Sequence, residues 1–140
     1  MKVLWSEQGA PTQQGLALRK EVFMDEQHFS YDEDELDGIS WHLLLQDEDG
    51  TAVGAARLYV EDGMTAHLGR IVIKKERRGT GLGLVMLNAM EEKAREMGLR
   101  EMKLGGQTRA AGFYEKAGFV RYGEEFYDEY CPHVMLRKEL

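Results

Sequence analysis

Ile71-Val72-Ile73-Lys74-Lys75-Glu76-Arg77-Arg78-Gly79-Thr80-Gly81-Leu82-Gly83 runs from an apolar, β-branched strand end through a basic, glycine-rich turn into a helix. The helix follows because Leu82, Met86, Met90, Ala94 and Met97 recur at three- or four-residue spacing, with Glu91, Glu92, Arg95 and Glu96 facing away. Gly98 stops it. Met102-Lys103-Leu104 then reads as a strand. The helix is therefore a crossover, and a crossover helix joins parallel strands. Upstream the pattern differs. Strands read at Trp41 to Leu45, Ala52 to Val60 and Thr65 to Ile73, with turns at Asp47-Glu48-Asp49-Gly50 and Asp62-Gly63, make an antiparallel meander.

The rest of the chain fills in around these elements. Lys2 to Trp5 reads as a short strand, and Pro11-Thr12 opens a helix carrying Leu16, Leu18, Val22 and Phe23 to about Met24. Asp25 to Ser40 is polar, acidic and without period. A helix over Arg109 to Ala117 closes at Gly118, and strands follow at Phe119 to Tyr122 and His133 to Arg137. The order β-α-β-β-β-α-β-α-β-β specifies an α/β fold whose mixed sheet combines an antiparallel meander with a parallel crossover, flanked by helices.

Composition narrows the function. A chain of 140 residues, 43% hydrophobic and 31% charged, with 16 Gly and 2 Pro, fits one globular domain spanning residues 1–140. No repeat or low-complexity linker divides it. No run of about 18 apolar residues occurs, and the N-terminus turns polar at Ser6-Glu7, so the expectation is a cytoplasmic protein without a membrane span. A lone cysteine, Cys131, makes no internal disulfide and no Cys-rich metal site. The 18 Lys and Arg against 25 Asp and Glu give a net charge of −7, which argues against a nucleic-acid partner. Lys74 to Arg78 is dense enough for a small anion only. The acidic run Asp32-Glu33-Asp34-Glu35 with Asp37 does not match a calcium loop, because Leu36 stands where an oxygen ligand is needed. It reads either as a solvated loop or as an acidic lip that attracts a cationic substrate.

The glycine-rich turn carries the chemistry. Glycines let consecutive N–H groups converge on one anion, and the helix N-terminus adds partial positive charge. A Walker A loop would need Gly-Lys-Ser/Thr, which is absent. A dinucleotide fingerprint would need small residues where Leu84 and Met86 stand.

Arg78-x-x-Gly81-x-Gly83 after a strand resembles the acyl-CoA-binding signature of the GNAT acyltransferases. Phe113-Tyr114-Glu115-Lys116-Ala117-Gly118-Phe119 is similar to that family's second motif. Val22 to Gln27, Gly69-Arg70, Gln107 and Pro132-His133-Val134-Met135 further resemble its ElaA-like branch. The resemblance implies the GNAT-like mixed sheet and acetyl-CoA as co-substrate, with no metal. It also implies a gap beside Ile71 to Ile73 for the pantetheine arm, paired by backbone groups of Ile71 and Ile73. N–H groups of Arg78, Gly79, Thr80, Gly81, Leu82 and Gly83 would hold the pyrophosphate, the Val72 N–H would polarise the thioester carbonyl, and Phe113 and Tyr114 would lie against the cofactor.

Roles for individual side chains follow. Tyr114 is the candidate acid for the thiolate leaving group, against a reading as helix packing. Gln107 binds the CoA arm or substrate, or satisfies loop backbone. An amine must shed a proton before attack, and His133, just after Pro132, is the candidate base by resemblance, with Glu26 acting through water as the alternative. His42 and His67 read as core or surface residues and His28 as a loop residue. Cys131 reads as inert. The leading function is acetyl transfer to a primary amine by direct attack, a small cationic amine favoured. A non-catalytic acyl-CoA-binding or sensor module is the alternative. A homodimer is compatible with the fold, and no residue specifies one.

Overall fold

In the computed structural model, which describes residues 1–140, the strands are β1 (Lys2–Trp5), β2 (Trp41–Gln46), β3 (Ala52–Glu61), β4 (Thr65–Ile73), β5 (Glu101–Gln107), β6 (Val120–Asp128) and β7 (Cys131–Glu139). They form one sheet in the order β1-β2-β3-β4-β5-β7-β6. Neighbours are antiparallel except β4 and β5, which the helix α2 (Leu82–Glu96) joins as a parallel pair. The expected mixed sheet is present. Shorter helices, α1 (Gln13–Arg19) and α3 (Ala111–Lys116), complete the set.

Two apolar layers flank the sheet. Ala55 and Ala56 are adjacent in β3, so they point to opposite faces. Ala56 belongs to the main core, where α2 buries Leu82, Met86, Leu87, Met90 and Ala94 against Leu45, Leu58, Leu68, Met102 and Leu104. Ala55 and Val72 instead pack with Leu18 and Val22 beneath the first helix. Each large side chain so buried contributes about 1.5–3 kcal/mol relative to exposure. Thr12 caps α1, its hydroxyl accepting from the Gly15 N–H at 2.9 Å. The expected single helix to Met24 instead widens into a π-helical segment over Lys20–Glu26, in which the Gln27 N–H reaches the Val22 carbonyl.

Asp25 to Ser40 departs from both readings of the acidic run. Asp32 and Asp37 are buried, and a 3₁₀ turn over Glu35–Ile39 is capped by Asp34. Arg19, itself 3% exposed, donates to Asp32 at 3.0 Å and to both oxygens of Asp37 at 2.9 and 3.1 Å. Arg57 bonds Asp34 and Asp37, while Arg70 bonds Asp32 and Asp34. Three arginines, one each from α1, β3 and β4, thus consume the three aspartates, and only Glu33 and Glu35 of the run stay exposed. Burial raises the carboxyl of Asp37, but the hydrogen bonds from Arg19 and Arg57 outweigh it and hold the group at about 2.

Two strands are longer than their hydrophobic pattern. Gly105-Gly106 continues β5, because a Cβ on Gly105 would come within 3.3 Å of the Phe126 ring and one on Gly106 within 3.1 Å of Tyr114. These glycines serve close approach, just beyond the strand read over Met102 to Leu104. The strand read over Phe119 to Tyr122 continues as β6 to Asp128 through an irregularity between Tyr122 and Phe126. It is an exposed edge, so no apolar alternation marks it.

Candidate active site

The site begins where the parallel pairing ends. Strands β4 and β5 pair only from Thr65–Glu101 to Leu68–Leu104, then diverge. A bulge causes the turn: between the pairs Ala55–Val72 and Arg57–Gly69, β4 holds one residue more than β3. Arg70 in that bulge has φ +49°, a conformation costly for a side-chain-bearing residue. Its ion pairs with Asp32 and Asp34 and its stacking over Phe23 hold it there.

A cavity of about 200 Å³ occupies the divergence. Of the residues singled out in the sequence, Ile71, Gln107, Tyr114 and His133 line it together. Val72 and Ile73 do not. Val72 turns its side chain into the apolar layer under α1, and its N–H faces β3, because the Lys74 N–H bond to the Val53 carbonyl makes Ala55–Val72 a hydrogen-bonded pair of the same ladder. The expected polarisation of a thioester by the Val72 N–H does not fit this register. The Ile73 carbonyl accepts from Arg78 Nε at 3.0 Å.

Tyr114 is 8% exposed, wedged by edge contacts with Phe113 and Phe119. Burial pushes its hydroxyl up to about 12, so it stays protonated at neutral pH and faces the cavity as a donor. His133 is comparably buried on β7, its ring tilted against Phe126 at 5.6 Å. Its Nδ1 lies 2.9 Å from the Cys131 carbonyl oxygen. A carbonyl only accepts, so in the neutral ring it is Nδ1 that carries the proton and Nε2 that keeps its lone pair. Cys131 itself is buried, which raises its thiol and suits the inert reading.

The glycine-rich turn forms an open shelf at the start of α2. Gly79 and Gly81 have φ of +76° and +85°, with no atom within 4 Å of a Cβ at either. Gly81 is the N-cap and supplies no side-chain cap, so the first N–H groups of α2 are unsatisfied. Arg78, Gly79, Thr80 and Gly81 are exposed, and the Thr80 hydroxyl donates to the Arg77 carbonyl. This is the donor set an anionic diphosphate needs. Gly83 has a different reason: a Cβ there would strike the Phe113 ring at 2.8 Å. Phe113 covers the shelf from α3 and does not line the cavity.

Glu26 lies with the shelf instead of the cavity. Its carboxylate takes both guanidinium nitrogens of Arg78, at 2.6 and 2.8 Å, and that pairing lowers its affinity for protons. Gln107 bridges two neighbours, donating to Gln27 at 2.9 Å and accepting from Arg109 Nε at 2.9 Å.

The chain matches the family described as "Acetyltransferase (GNAT) domain" over residues 7–140. It belongs to the GNAT acyltransferases. It is 40% identical over 136 residues to the uncharacterized protein YyaT of Bacillus subtilis, covering 94% of this chain and 90% of that protein. The crystal structure of an acyl-CoA N-acyltransferase from Pseudomonas aeruginosa shares 27% identity with a TM-score of 0.85, over 99% of both chains. That of Escherichia coli ElaA shares 25% with a TM-score of 0.82, over 99% of this chain and 100% of that one. This GNAT chain is thus an acyl-CoA-dependent N-acyltransferase, and none of its helices is long and apolar enough to cross a membrane.

Several residues that shape this acyltransferase site gave no sign in the sequence. Phe29, Arg109, Asp128 and Glu129 all line the cavity, beside Gln27 and Asp32, which the sequence marks only within longer stretches. The β6–β7 turn is clasped to the segment at residues 27–30. Glu129 accepts from the Ser30 N–H at 3.0 and 3.1 Å, the Tyr130 hydroxyl donates to the Gln27 carbonyl, and Tyr130 stacks on Phe29 at 5.4 Å. Residues about a hundred positions apart meet there, and only the sheet order brings them together.

Proposed function

We propose that this acyltransferase moves an acetyl group from acetyl-CoA to the primary amine of a small cationic acceptor by direct attack, residues 1–140 acting as one domain. The supporting observation is that Tyr114 and His133 line one cavity from opposite chemical roles, a protonated phenol and an imidazole with a free Nε2. The N–H groups of residues 78–83 hold the diphosphate, and backbone groups of β4 at Ile71 and Ile73 guide the arm carrying the thioester into the cavity.

His133 Nε2 takes one proton from the bound ammonium. The freed nitrogen lone pair forms a bond to the thioester carbonyl carbon, and the carbon–sulfur bond breaks with its electrons going to sulfur. Tyr114 donates its hydroxyl proton to that sulfur and regains one from the nitrogen, which now carries the acyl group as an amide. His133 returns its proton to solvent. Glu26, tied to Arg78 and lowered by it, serves the cofactor shelf.

The test is release of free CoA thiol from acetyl-CoA in the presence of a panel of primary amines, with mass spectrometry of the products. Amide formation on an amine, lost together with CoA release when the amine is omitted, is the expected result. An acetylated His, Cys or Tyr side chain accumulating without amine would refute direct attack.

A further inference from the structure

We propose that Asp128 reads a second positive charge on the acceptor, set one short alkyl chain away from the nitrogen that reacts. The inference rests on acyl transfer at Tyr114 and His133 and adds a substrate class to it, a diamine or longer oligoamine.

Three acidic side chains line the cavity, and two are already occupied. Asp32 is held by Arg19 and Arg70, and Glu129 by the Ser30 N–H. Asp128 is half-buried in the cavity wall and makes no ion pair or side-chain hydrogen bond. A carboxylate kept in a pocket without a partner gains most from a cation brought by the ligand.

Its position sets the distance. Phe126 pairs with His133 and Asp128 with Cys131, so Asp128 and His133 share one face of the β6–β7 ribbon as diagonal neighbours. The backbones of such neighbours stand roughly 7 Å apart, a separation that a short diaminoalkane can bridge between the two side chains. His133 is also the last residue of β7 paired with β5, opposite Gln107. Asp128 therefore lies beyond the end of β5, outward of the reacting centre. The acidic segment cannot perform this task, because its aspartates are spent on arginines. Arg109, in the same wall, donates its Nε to Gln107 and forms no ion pair with Asp128. It would recognise an acceptor ending in a carboxylate, the opposite selectivity.

The experiment compares diaminobutane, butylamine and aminobutyrate as acceptors with acetyl-CoA. Wild-type protein is expected to use diaminobutane with kcat/KM about tenfold or more above butylamine, and Asp128→Asn to bring that ratio within about twofold of unity. In parallel, diaminobutane should raise the melting temperature of CoA-saturated wild-type protein and not of Asp128→Asn. A diamine preference that survives in Asp128→Asn overturns the proposal. So does a preference for aminobutyrate that disappears in Arg109→Gln. If no amine is turned over but the Asp128-dependent melting shift remains, the acyl-transfer reading of the cavity fails while the cation site stands.

Discussion

Arg19→Met removes the centre of the buried charge network that supports the cavity wall. In the native protein Arg19 contacts both oxygens of Asp32 through Nε at 3.2 and 3.0 Å and both oxygens of Asp37 through its terminal nitrogens, with less than a twentieth of the side chain exposed. Breaking a buried pair costs about 3–5 kcal/mol because a charge is stranded. Arg57 remains on Asp37 at 2.9 Å and Arg70 on Asp32 at 3.1 Å, so the low end applies, about 3 kcal/mol. With about 2.1 cal/mol/K of unfolding entropy per residue, that is roughly 10 °C in Tm. The loss also depends on pH. Asp37 titrates at about 2 instead of its ordinary 3.8, so its stabilisation is complete above about pH 4 and disappears as pH falls through about 2. That contribution is about 2 kcal/mol at neutral pH and about 1 kcal/mol at pH 3. Urea unfolding of both proteins at pH 7 and pH 3 should show the gap narrowing at the lower pH. A neutral-pH loss under about 1 kcal/mol, or a gap that widens on acidification, would refute the reasoning.

Four further outcomes are expected. Tyr114→Phe should lower kcat by roughly 100-fold with CoA affinity retained, and the wild-type rate should show no alkaline decline from this group before about pH 10, since its proton is held to about 12; loss of CoA binding instead would assign Tyr114 to packing. His133→Ala should depress kcat/KM by about 10²- to 10⁴-fold and flatten the acidic limb of its pH profile; an unchanged acidic limb would remove it as the base. Gly81→Val places a β-branched residue at φ +85° and should abolish the melting shift caused by acetyl-CoA, measured by differential scanning fluorimetry. Glu26→Gln frees Arg78 and removes a like charge from the shelf, so CoA should bind roughly threefold tighter by titration calorimetry; a collapse in kcat would instead return the base role to Glu26.

The sequence made the meander, the crossover and the shelf legible because each rests on local signals. Met86 and Met90 recur at helical spacing, Asp47 to Gly50 punctuate a hairpin, and Gly79 and Gly81 mark a turn that needs positive φ. Tyr114 and His133 were legible by resemblance, and the structure brings both to one cavity. What stayed hidden depends on long-range partners. Asp32 and Asp37 look solvated until Arg19, Arg57 and Arg70 are placed around them, and a carboxylate's burial cannot be read without its cation. Gly105 and Gly106 fall outside the strand read to Leu104 because their contacts, Phe126 and Tyr114, come from elements elsewhere along the chain. Asp128 gave no signal at all: its exposure to the cavity follows from the pairing of β6 with β7.

The short seam between β4 and β5 has a mechanical consequence. Four residue pairs, Thr65–Glu101 to Leu68–Leu104, are the whole strand ladder between a sheet half made of β1 to β4 and another made of β5 to β7. Parallel pairing is also slightly weaker per residue than the antiparallel ladders on either side. The halves therefore resemble two boards joined along one seam and latched across their open side by the bonds of Glu129 to Ser30 and of Gln107 to Gln27, with the reactive groups between seam and latch. Any rotation at the seam would show as a change in the spacing between Ile71 on one board and His133 on the other, so that spacing is set jointly by the seam and the latch.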